Sequence, residues 1–110
     1  MNTLLLVDHQ NARRRTLDSV LASLGCRAVD ARTPLDAIVM LQSGARVDGV
    51  IVASELCSVS GRGFSRFLSA EFPALPVAVL TEPWELEDIA AFVCPHYFPA
   101  RVRDRDLATA

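Results

Sequence analysis

The sequence predicts a single α/β domain built around a doubly wound parallel sheet. Apolar runs of about five residues alternate with amphipathic segments along the whole chain, and a continuous run such as 4–7 is typical of a parallel strand covered on both faces. A length of 110 residues suits one hydrophobic core, so we expect residues 1–110 to form one domain. The composition, with 51% hydrophobic and 22% charged residues, is that of an ordinary globular protein.

Five strands are predicted, because five short apolar segments recur between turn signals. They cover residues 4–7, 26–31, 47–53, 76–80 and 96–98. The second is the most polar and suits a sheet edge, and the fifth is weak. Strands that alternate with helices in this way predict right-handed crossovers, and ligands in such sheets bind beyond the carboxyl ends of the strands.

Helix-forming segments lie between these strands. The first predicted helix buries Leu17, Val20, Leu21 and Leu24 and ends at Gly25. The second begins with Thr33 as N-cap and Pro34 in its first turn, presents Leu35, Ile38 and Val39 to the core, and ends at Gly44. The third carries Phe64, Phe67 and Leu68, the fourth opens at residues 82–85 and closes at Cys94-Pro95, and residues 103–110 suffice only for the stub of a fifth.

The charged residues exclude several mechanisms. All eleven basic residues are Arg and the chain contains no Lys, which excludes Schiff-base chemistry, phosphate-binding lysines of the Walker type and lysine switches. The formal charge of −2 gives no general attraction to nucleic acid or to an anionic membrane.

The cysteine pattern and the lack of long apolar runs predict a cytoplasmic protein. Cys26, Cys57 and Cys94 are odd in number and far apart, which argues against a disulfide framework and suits a reducing compartment. The run at 4–7 is too short for a signal peptide, and no apolar stretch approaches the ~18–20 residues of a membrane span.

Five segments in order resemble the receiver domain of bacterial two-component response regulators. Residues 4–8 are similar to the first strand and first acid of that family, residues 47–52 to its third strand, and residues 77–81 to its fourth strand with the switch Thr. Gly61 falls in the loop after the third strand, and Tyr97 at the aromatic switch position. The resemblance implies a flavodoxin-like, five-stranded parallel sheet with strand order 2-1-3-4-5, here with a shortened last helix.

The phosphorylation pocket that the resemblance implies is degenerate. Receivers hold Mg²⁺ with three carboxylates, one of them the phosphoacceptor Asp, and use a Thr or Ser and a Lys to bind the phosphoryl oxygens. The phosphoacceptor position is Ala53, five residues after Asp48 and eight before Gly61. The full set of corresponding positions is Asp8, His9 in place of the second acid, Ala53, Thr81 and, in place of the Lys, Ala100, which Arg101 follows where the family has Pro. We therefore expect no phosphorylation, no enzyme activity, no cofactor, and weak or absent Mg²⁺ binding.

Two functions remain open at this point. The first is a phosphorylation-independent pseudo-receiver that acts by protein interaction or as a homodimer, with Asp8 paired locally, for example with an Arg. The second is a receiver-like sensor of a cyclic dinucleotide or another nucleotide, suggested by the Arg-x-x-Asp patterns that begin at Arg101 and Arg103. A slipped third strand would instead bring Glu55 into the pocket as a fixed negative charge.

Two groups of residues are candidate interaction sites. One is the face that receivers commonly use for output, with Trp84, Glu85, Asp88 and Tyr97. The other is a basic corner, since the first and fifth helices of this topology lie on the same face of the sheet. It would combine Arg13, Arg14 and Arg15 with Arg101, Arg103 and Arg105. We expect neither a membrane nor nucleic acid as a direct partner.

Overall fold

A computed structural model describes residues 3–56 and 59–94, together with the backbone of residues 107–109. The elements in chain order are β1 (Thr3–Val7), α1 (Asn11–Ser23), β2 (Arg27–Ala31), α2 (Pro34–Gln42), β3 (Gly49–Ala53), α3 (Gly61–Glu71), β4 (Val77–Leu80), α4 (Leu86–Val93) and β5 (Leu107–Thr109).

The sheet has the predicted strand order, β2-β1-β3-β4-β5, and its first four strands are parallel. The α/β fold class and the order of the strands are therefore confirmed. Apolar side chains fill β1, β3 and β4, which are buried along almost their whole length, as continuous apolar runs predict for strands with helices on both faces.

The last strand differs from the prediction. β5 pairs with β4 in antiparallel orientation, with Ala78 opposite Thr109 and Leu80 opposite Leu107. A wholly parallel sheet was therefore the wrong expectation, and so was a helix over residues 107–109. A stretch this short cannot sustain a helix, whereas an antiparallel strand can complete the edge of a mostly parallel sheet. The predicted strand at 96–98 lies outside the described residues.

The helices form one layer on each face of the sheet. α1 and α4 pack against the same face of the sheet and share one apolar cluster with its strands. The helices contribute Leu17, Leu21, Ile89 and Val93 to this cluster, all nearly inaccessible to solvent. α2 and α3 cover the opposite face around Phe64 and Leu68. A right-handed crossover from β4 to a further parallel strand would have placed α4 beside α3. The antiparallel β5 removes this constraint, and α4 packs beside α1, where the sequence predicted a fifth helix.

Local sequence signals explain most helix ends. The Thr33 hydroxyl accepts a hydrogen bond from the Asp36 backbone N–H at 3.0 Å, as predicted for the N-cap of α2. Gly25 and Gly44 follow α1 and α2 with φ of 77° and 91°, a region that favours glycine. α4 begins at Leu86, after the predicted opening segment, because Glu85 is its N-cap.

The core face of α2 is not the predicted one. Leu35 and Val39 are 67% and 55% exposed, whereas Ala37 is fully buried, with Ile38 and Leu41 packed against the same cluster. The small side chain of Ala37 lets this face of the helix approach the sheet closely. On α3, Phe64 and Leu68 are buried as predicted, but Phe67 is 43% exposed and stacks on Phe64.

No helix within the described part of the chain is long and apolar enough to cross a membrane.

Candidate functional site

A small cavity lies at the carboxyl ends of three adjacent strands. Asp8 follows β1, Ala53 ends β3, and the β3–β4 register places Ala53 opposite Leu80. The volume of the cavity that the centre of a water molecule can occupy is about 20 Å³. This is room for about one water molecule. Its lining consists of Leu6, Val7, Asp8, Arg13, Leu17, Ile51, Ala53, Ser54, Leu80, Glu82 and Trp84.

The Asp8 carboxylate is held from within the protein. Asp8 as a whole is 2% exposed. Arg13 donates from Nε to Oδ2 at 2.7 Å and from Nη2 to Oδ1 at 2.8 Å, a bidentate pair. The Gln10 backbone N–H also donates to Oδ1, at 3.0 Å. Asp8 thus pairs locally with an Arg, in agreement with the sequence-based expectation, although the sequence did not identify which Arg.

Arg13 also reaches the opposite wall of the cavity. Its Nη1 lies 3.2 Å from Glu82 Oε1 in the segment between β4 and α4. The hydrogen bonds to the Asp8 carboxylate raise the pKa of the Arg13 guanidinium further above its already high ordinary value, and Glu82 adds a smaller effect in the same direction. The guanidinium is therefore charged at every working pH and forms a bridge between two acids, which we call the Arg13 bridge (Asp8, Arg13 and Glu82).

The carboxylates of this cavity do not suit a magnesium ion. Both oxygens of Asp8 are engaged by Arg13, and the exposed Glu82 carboxylate pairs with the same guanidinium. Mg²⁺ requires near-octahedral oxygen ligands. Across residues 3–56 and 59–94, the structure places no three His, Cys, Asp or Glu side chains together in a group that could hold a metal ion.

Two further predicted pocket positions, His9 and Thr81, lie near this cavity. Nδ1 of His9 lies 3.9 Å from Asp8 Oδ1, too far for a hydrogen bond. Thr81 is half-buried directly after β4, and its neighbours Leu80 and Glu82 line the cavity. Ala100 lies outside the described residues.

The strand register places Ala53, rather than Glu55, at the cavity. β3 ends at Ala53, and Glu55 is an exposed residue whose backbone forms an isolated bridge with Ser60. Gly61 is required nearby, because a Cβ on it would lie 2.0 Å from the Ala53 carbonyl oxygen. The first residue of α3 thus packs directly against the end of β3.

The predicted basic corner is not assembled by α1. Arg13 belongs to the cavity, and Arg14 is 8% exposed, with Nη1 donating to the Asp8 carbonyl oxygen and Nη2 to Asn11. Arg15, the third arginine of this part of α1, is exposed. The remaining members of the corner, Arg101, Arg103 and Arg105, lie outside the described residues.

The predicted output face is also only partly a surface. Trp84 is half-buried, lines the cavity and packs against the α1–α4 cluster. Asp88 is fully buried, and its Oδ2 accepts a hydrogen bond from the Glu85 backbone N–H at 2.8 Å in the capping box of α4. Glu85 is exposed, and Tyr97 lies outside the described residues.

Sequence reasoning identified neither the bridging role of Arg13 nor its partner Glu82. Arg13 and Glu82 are 69 positions apart, so their contact follows from the packing of α1 beside the β4–α4 segment rather than from a local pattern.

Comparisons with solved structures identify the fold. A response regulator receiver protein from Pseudomonas putida is 27% identical over 81% of this chain and 74% of its own, with a TM-score of 0.66. A response regulator receiver protein from Sinorhizobium medicae is 22% identical over 92% and 97% of the two chains, with a TM-score of 0.73. A receiver domain protein from Clostridium thermocellum is 14% identical over 90% and 95%, with a TM-score of 0.76.

No protein-family model and no curated protein sequence matches the chain. The structural neighbours nevertheless agree with one another and with the topology described above. The fold is that of response-regulator receiver domains, and these neighbours support a receiver-type module of signal transduction.

Proposed function

We propose that this chain is a pseudo-receiver, a protein-interaction module of a bacterial signalling or transcriptional pathway that works without phosphorylation. The observation that carries the proposal is the Arg13 bridge. A cation supplied by the protein itself engages the pocket carboxylate that a metal ion would need. At the neighbouring position Ala53 offers no nucleophile.

The charge balance supports the same proposal. Phosphoryl transfer to a carboxylate depends on cations that neutralise the developing charge. The positive charge of Arg13 is already shared between Asp8 and Glu82, and the chain contains no Lys to add another. An incoming phosphoryl group would meet acidic side chains without a free metal site.

The first experiment tests chemical silence. The protein is incubated with acetyl phosphate and Mg²⁺, and its intact mass is measured. We expect no phosphoryl adduct, and no chemical-shift change around Thr81 on addition of beryllofluoride. A stable adduct on a residue of the cavity would refute the proposal.

The second experiment separates the missing nucleophile from the missing metal site. Ala53→Asp restores a carboxylate but leaves Arg13 on Asp8, so we expect no Mg²⁺-dependent phosphorylation, because the groups of such a site act as a unit. Ala53→Glu serves as the matched acidic control. Phosphorylation of Ala53→Asp at the rate of an ordinary receiver would show that the Arg13 bridge does not block the chemistry.

The interaction role needs its own measurement. Sedimentation of the chain over a range of concentrations, together with capture of partners from the native cell, should reveal self-association or a bound protein. Nucleotide sensing is disfavoured at the cavity, because space for about one water molecule cannot hold a nucleotide. A melting temperature raised by a cyclic dinucleotide, ATP or GTP would reverse this preference, since a ligand that binds only the folded state must stabilise it.

A further inference from the structure

Two cysteines lie at the end of the molecule opposite the cavity. α1 and α4 each follow a parallel strand and run back along the same face of the sheet, so both end at its amino-terminal edge. Cys26 lies three residues beyond Ser23, the last residue of α1, and Cys94 directly follows Val93, the last residue of α4. Both side chains are half-buried and both pack against the α1–α4 cluster.

The backbone of each cysteine is fixed by the helix that precedes it. The Cys26 N–H donates to the Leu21 carbonyl oxygen at 2.8 Å, and the Cys94 N–H donates to the Ala90 carbonyl oxygen at 2.7 Å. The Cys26 Sγ lies 3.9 Å from the Leu24 carbonyl oxygen. Because α1 and α4 contact each other, these anchors hold the two thiols beside one shared apolar cluster.

Electrostatics supports this proximity. Burial, and then the nearby Cys94 thiol, raise the pKa of the Cys26 thiol above its ordinary value. A raised pKa also lowers the fraction of the reactive thiolate at neutral pH.

We propose that Cys26 and Cys94 form a reversible disulfide when the protein meets a low-molecular-weight disulfide such as oxidised glutathione. The thiolate of one cysteine attacks glutathione disulfide, forms a mixed disulfide and releases one glutathione thiolate. The second cysteine then attacks the protein sulfur of that mixed disulfide and releases the second glutathione. The protein loses two hydrogens, and two electrons pass to glutathione.

The bond would join the end of α4 to the turn between α1 and β2. These segments are distant in sequence, so the cross-link would restrict the unfolded chain and make unfolding of α4 less favourable. It would act on the same helical layer that carries Arg13 and against which Trp84 packs, but at the opposite edge of the sheet. The proposal is independent of the pseudo-receiver function, since it needs neither a phosphate pocket nor a partner.

The test uses the full chain with Cys57→Ser, which removes the third thiol. The protein is treated with oxidised glutathione at mildly alkaline pH, then analysed by non-reducing peptide mapping and by thermal unfolding. We expect a cross-linked peptide pair containing Cys26 and Cys94, an intact mass lower by two hydrogens, and a melting temperature that rises and returns after reduction.

Single variants supply the controls. In the same background, Cys26→Ser and Cys94→Ser should each accumulate a persistent glutathione adduct without an internal cross-link, and circular dichroism should show that both remain folded. Cys94→Ala replaces Cys94→Ser if the hydroxyl disturbs folding. A stable glutathione adduct in the variant that retains both cysteines, or cross-linking only between two copies of the chain, would overturn the proposal.

Discussion

Removal of the Arg13 guanidinium should destabilise the protein more than any other single change on the surface of α1. In Arg13→Ala the Asp8 carboxylate, whose side chain is 3% exposed, keeps the Gln10 N–H but loses both guanidinium hydrogen bonds. Leaving one partner of a fully buried ion pair without the other costs about 3–5 kcal/mol.

The expected cost here is somewhat lower. Arg13 is itself 22% exposed, so water can reach Asp8 once the side chain is truncated. We therefore expect a loss of about 2–3 kcal/mol. For a domain of this size each kcal/mol lowers the melting temperature by about 4–8 °C. The variant should melt roughly 10–20 °C below the wild-type protein.

The assay is urea unfolding followed by circular dichroism, run as a double-mutant cycle with Asp8→Asn. Loss of both partners removes the stranded charge, so Asp8→Asn/Arg13→Ala should be more stable than the sum of the single changes predicts, by about 2 kcal/mol. Arg15→Ala is the matched control, because Arg15 is exposed on the same helix, and it should change stability by less than about 0.5 kcal/mol. A coupling energy near zero, or an Arg13→Ala variant as stable as the control, would refute the assigned role of the Arg13 bridge.

Three further changes probe other parts of the fold. Gly61→Ala should destabilise by at least about 2 kcal/mol, because its new methyl group would collide with the Ala53 carbonyl oxygen, and unfolding midpoints unchanged from wild type would contradict that contact. Thr33→Ala removes the N-cap of α2 and should cost about 1 kcal/mol in the same assay, whereas Thr33→Asp should cost little. Burial and the nearby Asp18 raise the pKa of Asp30 above its ordinary value of 3.8. The free energy of unfolding should therefore fall as pH rises from 3.8 through the raised pKa that Asp30 has in the folded protein. Asp30→Asn should therefore raise the melting temperature at neutral pH but not well below pH 3.8, and an equal effect at both would exclude this titration.

Much of the architecture could be predicted because local signals specify it. The apolar runs of β1, β3 and β4 match the buried strands, and Thr33 and Gly25 mark helix ends by their own chemistry. The core face of α2 could not be predicted in the same way, since its apolar residues lie on more than one side of the helix. Close approach to the sheet selects the face with Ala37 and leaves Leu35 exposed.

The candidate site was harder to predict, because its contacts join distant parts of the chain. The assignment of Ala53 to the pocket followed from two independent spacings, and a local Arg partner for Asp8 was expected. The contact between Arg13 and Glu82 depends on which face of the sheet α4 covers. That choice depends in turn on the antiparallel direction of β5, which no local pattern near α4 encodes.

The division of the helices between the two faces has a consequence for the order of folding. The layer formed by α2 and α3 comes from one continuous stretch, Pro34 to Glu71, whereas the opposite layer joins α1 to α4 across most of the chain. Contacts between distant segments require the closure of long loops and form late. During synthesis the α2–α3 layer can pack on β1 and β3 before α4 has left the ribosome. In hydrogen exchange we expect α4 to open at a lower free energy than β1 and β3, so that the cavity and the cysteine pair lie in the part of the molecule that closes last and opens first.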